Sequence, residues 1–167
     1  LARFEPSVAV HANAAAMKRA AVCLIITGDG RGGAALILTK RAATLKAHSG
    51  QWAIPGGRME KGETPIEAAL REAHEEVNLQ LQPESILGRL DDYPTRSGYL
   101  ITPVVAWAPE GAELSANPDE VASIHHIPLG DLRNGEPVFF AIPESENPVI
   151  RYPLDGKHVH APTAAVL

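Results

Sequence analysis

The stretch TPIEAALREAHEEVN, Thr64 to Asn78, decides how the rest of the chain is read. It carries its own helix signals. Thr64 is an N-cap residue, Pro65 suits the first helical position, and Glu67 stands three after Thr64, which makes a capping box. Ile66, Ala69, Leu70, Ala73 and Val77 follow at helical spacing. Asn78 tolerates the left-handed conformation that often ends a helix, so the helix is predicted to stop there. At 100° per residue the apolar set fills one arc, and Glu72, Glu75 and Glu76 fill the arc beside it. Two carboxylates ~5 Å apart at an effective dielectric of ~20 repel by roughly 3 kcal/mol. One helix thus offers a core face and, next to it, a costly cluster of acids.

Working outward, short apolar runs dominate. AAVCLIIT (20–27) and AALILTK (34–40) read as strands joined by the turn GDGRGG (28–33), hence a hairpin. Residues 47–57 read as a loop with a short extended piece before Pro55. Further strand-like runs follow at 86–93, 100–108, 121–127, 138–142 and 148–152. Asp155-Gly156 reads as a tight turn, and PTAAVL as the start of a last helix. Many strands with one strong helix predict an α+β fold, a mixed sheet with helices packed on it.

The chain has 167 residues, 45% hydrophobic and 21% charged, with a formal net charge of −5. That fits one globular domain. The acidic balance argues against a general nucleic-acid coat, which needs a basic face. Cys23 is the single cysteine, so no internal disulfide forms, and its apolar run marks it as a packing residue. No apolar run reaches the ~18 residues of a membrane span. Residues 1–19 are Ala-rich but interrupted by Arg3, Glu5, Pro6, His11 and Asn13, which does not read as a secretory signal. A reducing cytoplasm is the expected setting. The first residue is Leu1 rather than Met, which suggests an N-terminal piece beyond this sequence.

An acidic arc is commonly a solvated face. Two neighbours argue for more. Gly56 and Gly57 in PGGRMEKGE let the backbone approach a ligand closely. Arg71 adjoins Glu72 and lies eight after Glu63, placed to pair with Glu63 or to orient one of the glutamates. Mg²⁺ favours oxygen ligands and takes a few carboxylates together with substrate phosphates. Such a cluster suits attack on a phosphoanhydride.

Gly57, five residues, Glu63, seven residues and then Arg71-Glu72-Ala73-His74-Glu75-Glu76 resemble the Nudix box. The pattern continues as Val77, Asn78 and Leu79, with Asn78 where glycine is usual. The resemblance implies a Nudix fold over residues 20–167: an α/β/α sandwich around a mixed sheet, bearing a catalytic loop-helix-loop, with 1–19 as an N-terminal extension. It implies hydrolysis of a nucleoside diphosphate derivative with Mg²⁺ or Mn²⁺. By position, Glu72 and Glu76 become metal ligands, with Glu75 close by or coordinating through water and the Gly57 carbonyl as a further ligand. Arg71 and Glu63 orient the cluster. The general base differs among members; it sits on this helix or in a later loop, where Asp119 and Glu120 are candidates and Glu120 is preferred.

The flanks resemble the coenzyme A diphosphatase branch: LTKRAATLKAHSGQWAIPGG (38–57), GRLDDYPTRSGYLITPVVAW (88–107), NPDEVASIHHIPLGDL (117–132) and the ending PTAAVL. Trp52 and Ile54 depart from that branch, which carries a small aliphatic and a phenylalanine there, and HAPTAA lacks its Trp-Gly. Trp52 is more typical of enzymes acting on free nucleotides or sugar nucleotides. For phosphate contact, Arg41 comes first, because its fork binds two oxygens; Lys40, Lys46, Arg58 and Arg96 are further cations. His48 lies in the matching loop as a hydrogen-bonding or proton-transfer group, and Ser97 and Gly98 shape the opposite wall. His125, His126, His158 and His160 have spacings that fit strand alternation rather than zinc. Trp107 is expected in the core. The implied activity is cleavage of coenzyme A or acyl-coenzyme A. The alternatives are ADP-ribose, other dinucleotides or oxidised nucleoside triphosphates, or a non-catalytic nucleotide sensor. The implied partner is a small nucleotide, not a nucleic acid polymer or a membrane, and a homodimer is expected by analogy.

Overall fold

A computed structural model describes residues 14–45, 49–143 and 145–167. Strands β1 (Lys18–Gly28) and β2 (Ala34–Arg41) form the expected hairpin, with Ile26 opposite Leu36 and Gly28 opposite Ala34. The Asp29 carboxylate closes its turn by accepting from the amides of Arg31 and Gly33, both at 2.8 Å. Then come β3 (Trp52–Ala53), β4 (Gly56–Arg58), helix α1 (Pro65–Val77), β5 (Ile86–Arg89), β6 (Tyr93–Pro94), β7 (Tyr99–Trp107) and β8 (Val121–Pro128). These eight strands make one mixed sheet in the order β3-β2-β1-β7-β5; β4 pairs with β1, β6 with β7, and β8 with β2. β7 runs parallel to β1 and the other pairings are antiparallel. A parallel neighbour needs a crossover, and α1 lies within it.

Strand alternation splits the core into two. Ala21, Cys23, Ile25, Ile37, Val104 and Ala106 pack with Ala68, Ala69, Ala73 and Val77 of α1 on one face. Leu24, Leu36, Leu38, Trp52 and Ile127 pack on the other. That second face is covered by the short helices α2 (Leu129–Asn134) and α3 (Thr163–Val166). Between them runs an antiparallel meander of β9 (Val138–Ile142), β10 (Ser145–Leu154) and β11 (Lys157–His160). Tyr152, Leu154, Val159 and Ala164 are its buried contribution. The Tyr152 hydroxyl donates to the Leu132 carbonyl and ties the meander to α2. The mixed sheet with helical packing agrees with the expected α+β Nudix fold.

Local signals translated faithfully. Thr64 and Glu67 exchange both bonds of the capping box, and Asn78 ends α1 at φ 55°. Asp155 and Gly156 both have positive φ and turn β10 into β11, as a two-residue hairpin loop demands. Cys23 is fully buried, and burial pushes its thiol up to about 12. Other expectations need correction. The run 86–93 is two strands, broken at Leu90–Asp92. α2 was not expected, and β11 was legible only in the alternate spacing of His158 and His160. Trp107 is not a core residue: Ala106 and Ala108 turn inward, so period-2 alternation sends Trp107 to the other face at the strand end, 43% exposed. Among the described residues, no helix is long and apolar enough to cross a membrane.

Candidate active site

The site grows from the meeting of β4 and α1. Gly57 pairs with Ala21 and Gly56 with Val22. A Cβ at Gly56 would stand 2.6 Å from the Val22 Cα, so only glycine lets β4 lie this close to β1. A Cβ at Gly57 would stand 2.6 Å from the Glu72 Cδ. The missing side chain is what admits a helix carboxylate against this backbone.

Arg71 organises the acids. Its Nε donates to Glu63 Oε1 at 2.8 Å and its Nη2 to Glu63 Oε2 at 3.2 Å. Its Nη1 donates to Glu72 Oε1 and to Glu75 Oε2, each at 2.9 Å. Its Nη2 also reaches the Arg58 carbonyl at 3.0 Å, tying α1 to β4. Glu63 is fixed further by the Glu60 amide at 2.7 Å. One guanidinium therefore positions three carboxylates and the strand beside them. Its hydrogen bonds to Glu63 hold the Glu63 carboxyl below the usual range. The same pairing raises the Arg71 pKa further.

Glu72 and Glu76 do not face open solvent; they are 9% and 5% exposed. Burial pushes the Glu72 carboxyl up, against the lowering effect of Arg71, and the charges of Glu75 and Glu120 add to the rise. Glu76 is pushed up to about 8, first by burial, then by the charges of Glu72 and Glu120. The Gly56 amide and Arg41 offset only part of this. Without a cation, Glu76 keeps its proton at neutral pH.

The loop before β8 closes the far side. The Ser115 amide donates to Val77 and the Asn117 amide to Glu76, at 3.1 and 3.0 Å, so the loop grips the last carbonyls of α1. Glu120 follows, its carbonyl accepting from the Ala42 amide at 2.8 Å, and its charge is felt by both Glu72 and Glu76. Asp119 is exposed in the same turn.

Arg41 ends β2 on the α1 side, where its charge reaches Glu76. Its Nε is buried and has no hydrogen-bond partner among the described residues. Lys40 points to the opposite face, its Nζ 4.4 Å from the Trp52 ring centroid, and His125 meets the same ring edge-on at 4.7 Å. Arg58 extends from β4 over Tyr99, 5.2 Å from the ring centroid. Arg96 and Ser97 are exposed in the turn leading into Tyr99, with Ser97 Oγ 3.1 Å from Thr95 Oγ1. Lys46 and His48 lie outside the described residues. Sequence reasoning missed Tyr99; its signal was a tyrosine opening a strand right after a Gly turn.

Among the described residues, no three of the His, Cys, Asp and Glu side chains already stand together as a cation cage. Arg71 holds Glu72 and Glu75 instead. The donor set still fits a hard divalent ion. The donors are carboxylate oxygens and the Gly57 carbonyl, and the missing Gly57 side chain lets the Glu72 carboxylate lie against that backbone. Glu76 is buried with no ion pair among the described residues.

Three comparisons bear on this geometry. The NUDIX domain family model matches residues 17–146. An uncharacterized Nudix hydrolase NudL of Photorhabdus laumondii subsp. laumondii is 47% identical over 97 residues, 58% of this chain and 52% of that protein. The chain spans about half the length of such curated relatives. A MutT/nudix family protein from Enterococcus faecalis superposes with a TM-score of 0.60 at 15% identity, covering 85% of this chain and 50% of that one. A bifunctional NMN adenylyltransferase/ADP ribose pyrophosphatase from Francisella tularensis, solved with AMP and a Mn ion, gives 0.55 at 25% identity, covering 68% and 34%.

Proposed function

Because the chain belongs to the NUDIX domain family, we propose that it is a divalent-metal-dependent pyrophosphatase that cuts coenzyme A or an acyl-coenzyme A. The products are 4′-phosphopantetheine and 3′,5′-ADP. The observation that carries the hydrolytic reading is the single arginine that fixes Glu63, Glu72 and Glu75 around a buried, un-ion-paired Glu76. A non-catalytic sensor has no need for such costly acids.

Glu72, Glu76 and the Gly57 carbonyl would hold Mg²⁺ or Mn²⁺, with Glu75 beside them. When bound, the cation supplies positive charge against the diphosphate and acidifies water. The chain's own residues do the rest. Arg71 keeps two carboxylates in place by direct hydrogen bonds, and Glu63 braces Arg71. Arg41 offers an unpaired buried N–H to a phosphate oxygen, an orphan donor that costs about 1–3 kcal/mol until a ligand satisfies it. Water adds across the P–O–P bridge: one P–O bond forms, the bridging P–O bond breaks, and a carboxylate takes the proton. Glu75 on the helix and Glu120 in the loop are the candidates for that base.

The coenzyme A assignment is supported by the resemblance of residues 38–57 and 88–107. These segments include Lys40, Arg41, Arg96 and Ser97. A second reading keeps the chemistry and changes the ligand to ADP-ribose, another dinucleotide or an oxidised nucleoside triphosphate. Trp52 favours it, as does the name of the Francisella tularensis protein. A substrate panel with Mg²⁺ or Mn²⁺ and product identification separates the two. Coenzyme A is expected to give 3′,5′-ADP at the highest kcat/KM; ADP-ribose turning over far faster would overturn the assignment.

A further inference from the structure

Tyr99 opens β7 directly opposite Lys18, which opens β1. The Lys18 amide donates to the Gly98 carbonyl at 2.9 Å, fixing the turn that bears Arg96 and Ser97. The Lys18 Nζ lies 5.8 Å from the Tyr99 ring centroid, and the Arg58 guanidinium lies 5.2 Å from the same centroid. Two cations on one ring repel each other, while each gains only about 0.5–1 kcal/mol from the ring at an exposed site. Among the described residues, neither is ion-paired to a carboxylate. The nearby Asp92 is already taken up by Arg19 and by the Thr102 hydroxyl. In a chain of net charge −5, this is a local surplus of positive charge with no carboxylate ion pair among the described residues.

The pair also has a fixed relation to the acidic site. Arg58 is the residue after Gly57, and its carbonyl accepts from Arg71 Nη2. Strand alternation sends the Gly57 side of β4 toward α1 and the Arg58 side chain to the other face. A ligand whose diphosphate lies against Glu72 and Glu76 would therefore meet Lys18 and Arg58 only with a second anionic group, reaching around the β4 edge. A phosphate monoester carries nearly two negative charges at neutral pH and several acceptor oxygens, which matches two cations. We propose that Lys18 and Arg58, held by the Tyr99 ring, form a subsite for a phosphate monoester borne by the same molecule as the scissile diphosphate. This rests on the reading of the site as a nucleoside-diphosphate hydrolase and narrows its substrate class: the nucleoside carries a phosphate besides those in the bridge. Tyr99 acts as a positioning residue through the two cations.

Binding tests the subsite apart from turnover. Calorimetric titrations with adenosine 3′,5′-bisphosphate and with 5′-AMP compare one ligand with and without the extra monoester. The intact chain is expected to bind the bisphosphate at least ~10-fold more tightly. Lys18→Ala and Arg58→Ala should each cut that ratio at least ~3-fold. Tyr99→Leu should do the same and Tyr99→Phe should restore it, because phenylalanine keeps the ring. Equal affinity for the two ligands, or a ratio unchanged in all the variants, overturns the proposal. Hydrolysis of coenzyme A and dephospho-coenzyme A by the same proteins reports on the parent reading. Failure to cleave either compound, with the binding preference intact, sinks the activity and leaves the subsite standing.

Discussion

Replacing Glu76 by glutamine keeps the side chain's shape and removes its charge. The carboxyl stands near pH 8 in the folded chain against 4.5 for a free glutamate. Between those values the folded protein holds a proton that the unfolded chain has released. Each step up in pH therefore favours unfolding. The stabilisation is fully present below about pH 4.5 and is lost as pH rises through the folded value. At about 1.4 kcal/mol per pH unit, the interval amounts to roughly 5 kcal/mol. The charges of Glu72 and Glu120 supply part of that rise, and relaxation around the ionised carboxylate reduces it, so a net difference of about 3 kcal/mol is expected. The assay is urea unfolding followed by circular dichroism in chelator-treated buffer from pH 4 to pH 8.5, for both proteins. Groups common to both cancel in the difference. At pH 4 the two should have similar stability, and by pH 8.5 the Glu76→Gln protein should be the more stable by about 3 kcal/mol. Parallel curves, with a difference constant to about 0.5 kcal/mol across the range, would refute the burial argument.

Arg71→Lys replaces a fork that touches three carboxylates and a carbonyl with one ammonium. A loss of about 2 kcal/mol in urea unfolding is expected, with turnover down at least ~10-fold; wild-type stability would contradict the clamp. Gly57→Ala forces its Cβ into the Glu72 carboxylate. Turnover should fall about 100-fold while far-ultraviolet dichroism stays native, and a wild-type rate would show that the cradle is not needed. Arg41→Ala should raise KM about 10-fold on every compound cleaved with kcat little changed; unchanged KM values throughout would remove it from the phosphate site.

The parts of the fold that could be read from the chain are those fixed by neighbours in sequence. The capping box of Thr64 and Glu67, the Asn78 stop and the Asp155-Gly156 turn are local hydrogen-bond and backbone preferences, and each appears as expected. Arg71 lay within reach of Glu63 and Glu72 by spacing, yet its grip on the Arg58 carbonyl depends on how β4 docks. β11 has four residues, and beyond the alternation of His158 and His160 its place is set by pairing with β10. Trp107 went astray because its composition argued for burial while alternation beside Ala106 and Ala108 turned it outward. The acidic arc was legible as charge, but its depth was not: only the packing of α1 on the sheet makes Glu76 a carboxyl that resists ionisation. Tyr99, Lys18 and Arg58 come from three separate strands, and only the sheet register brings them to one place.

The central claim is that a divalent ion offsets the buried charge on α1 and recruits a diphosphate. Calorimetric titration of the chelator-treated protein with Mn²⁺ at pH 7.5 tests it most directly, run beside Glu76→Gln. The wild-type chain is expected to give saturable heat with proton release, seen as a dependence on buffer ionisation enthalpy, and the variant much weaker heat without proton release. No saturable heat in the wild-type chain, or the same heat and proton release in both, would contradict it.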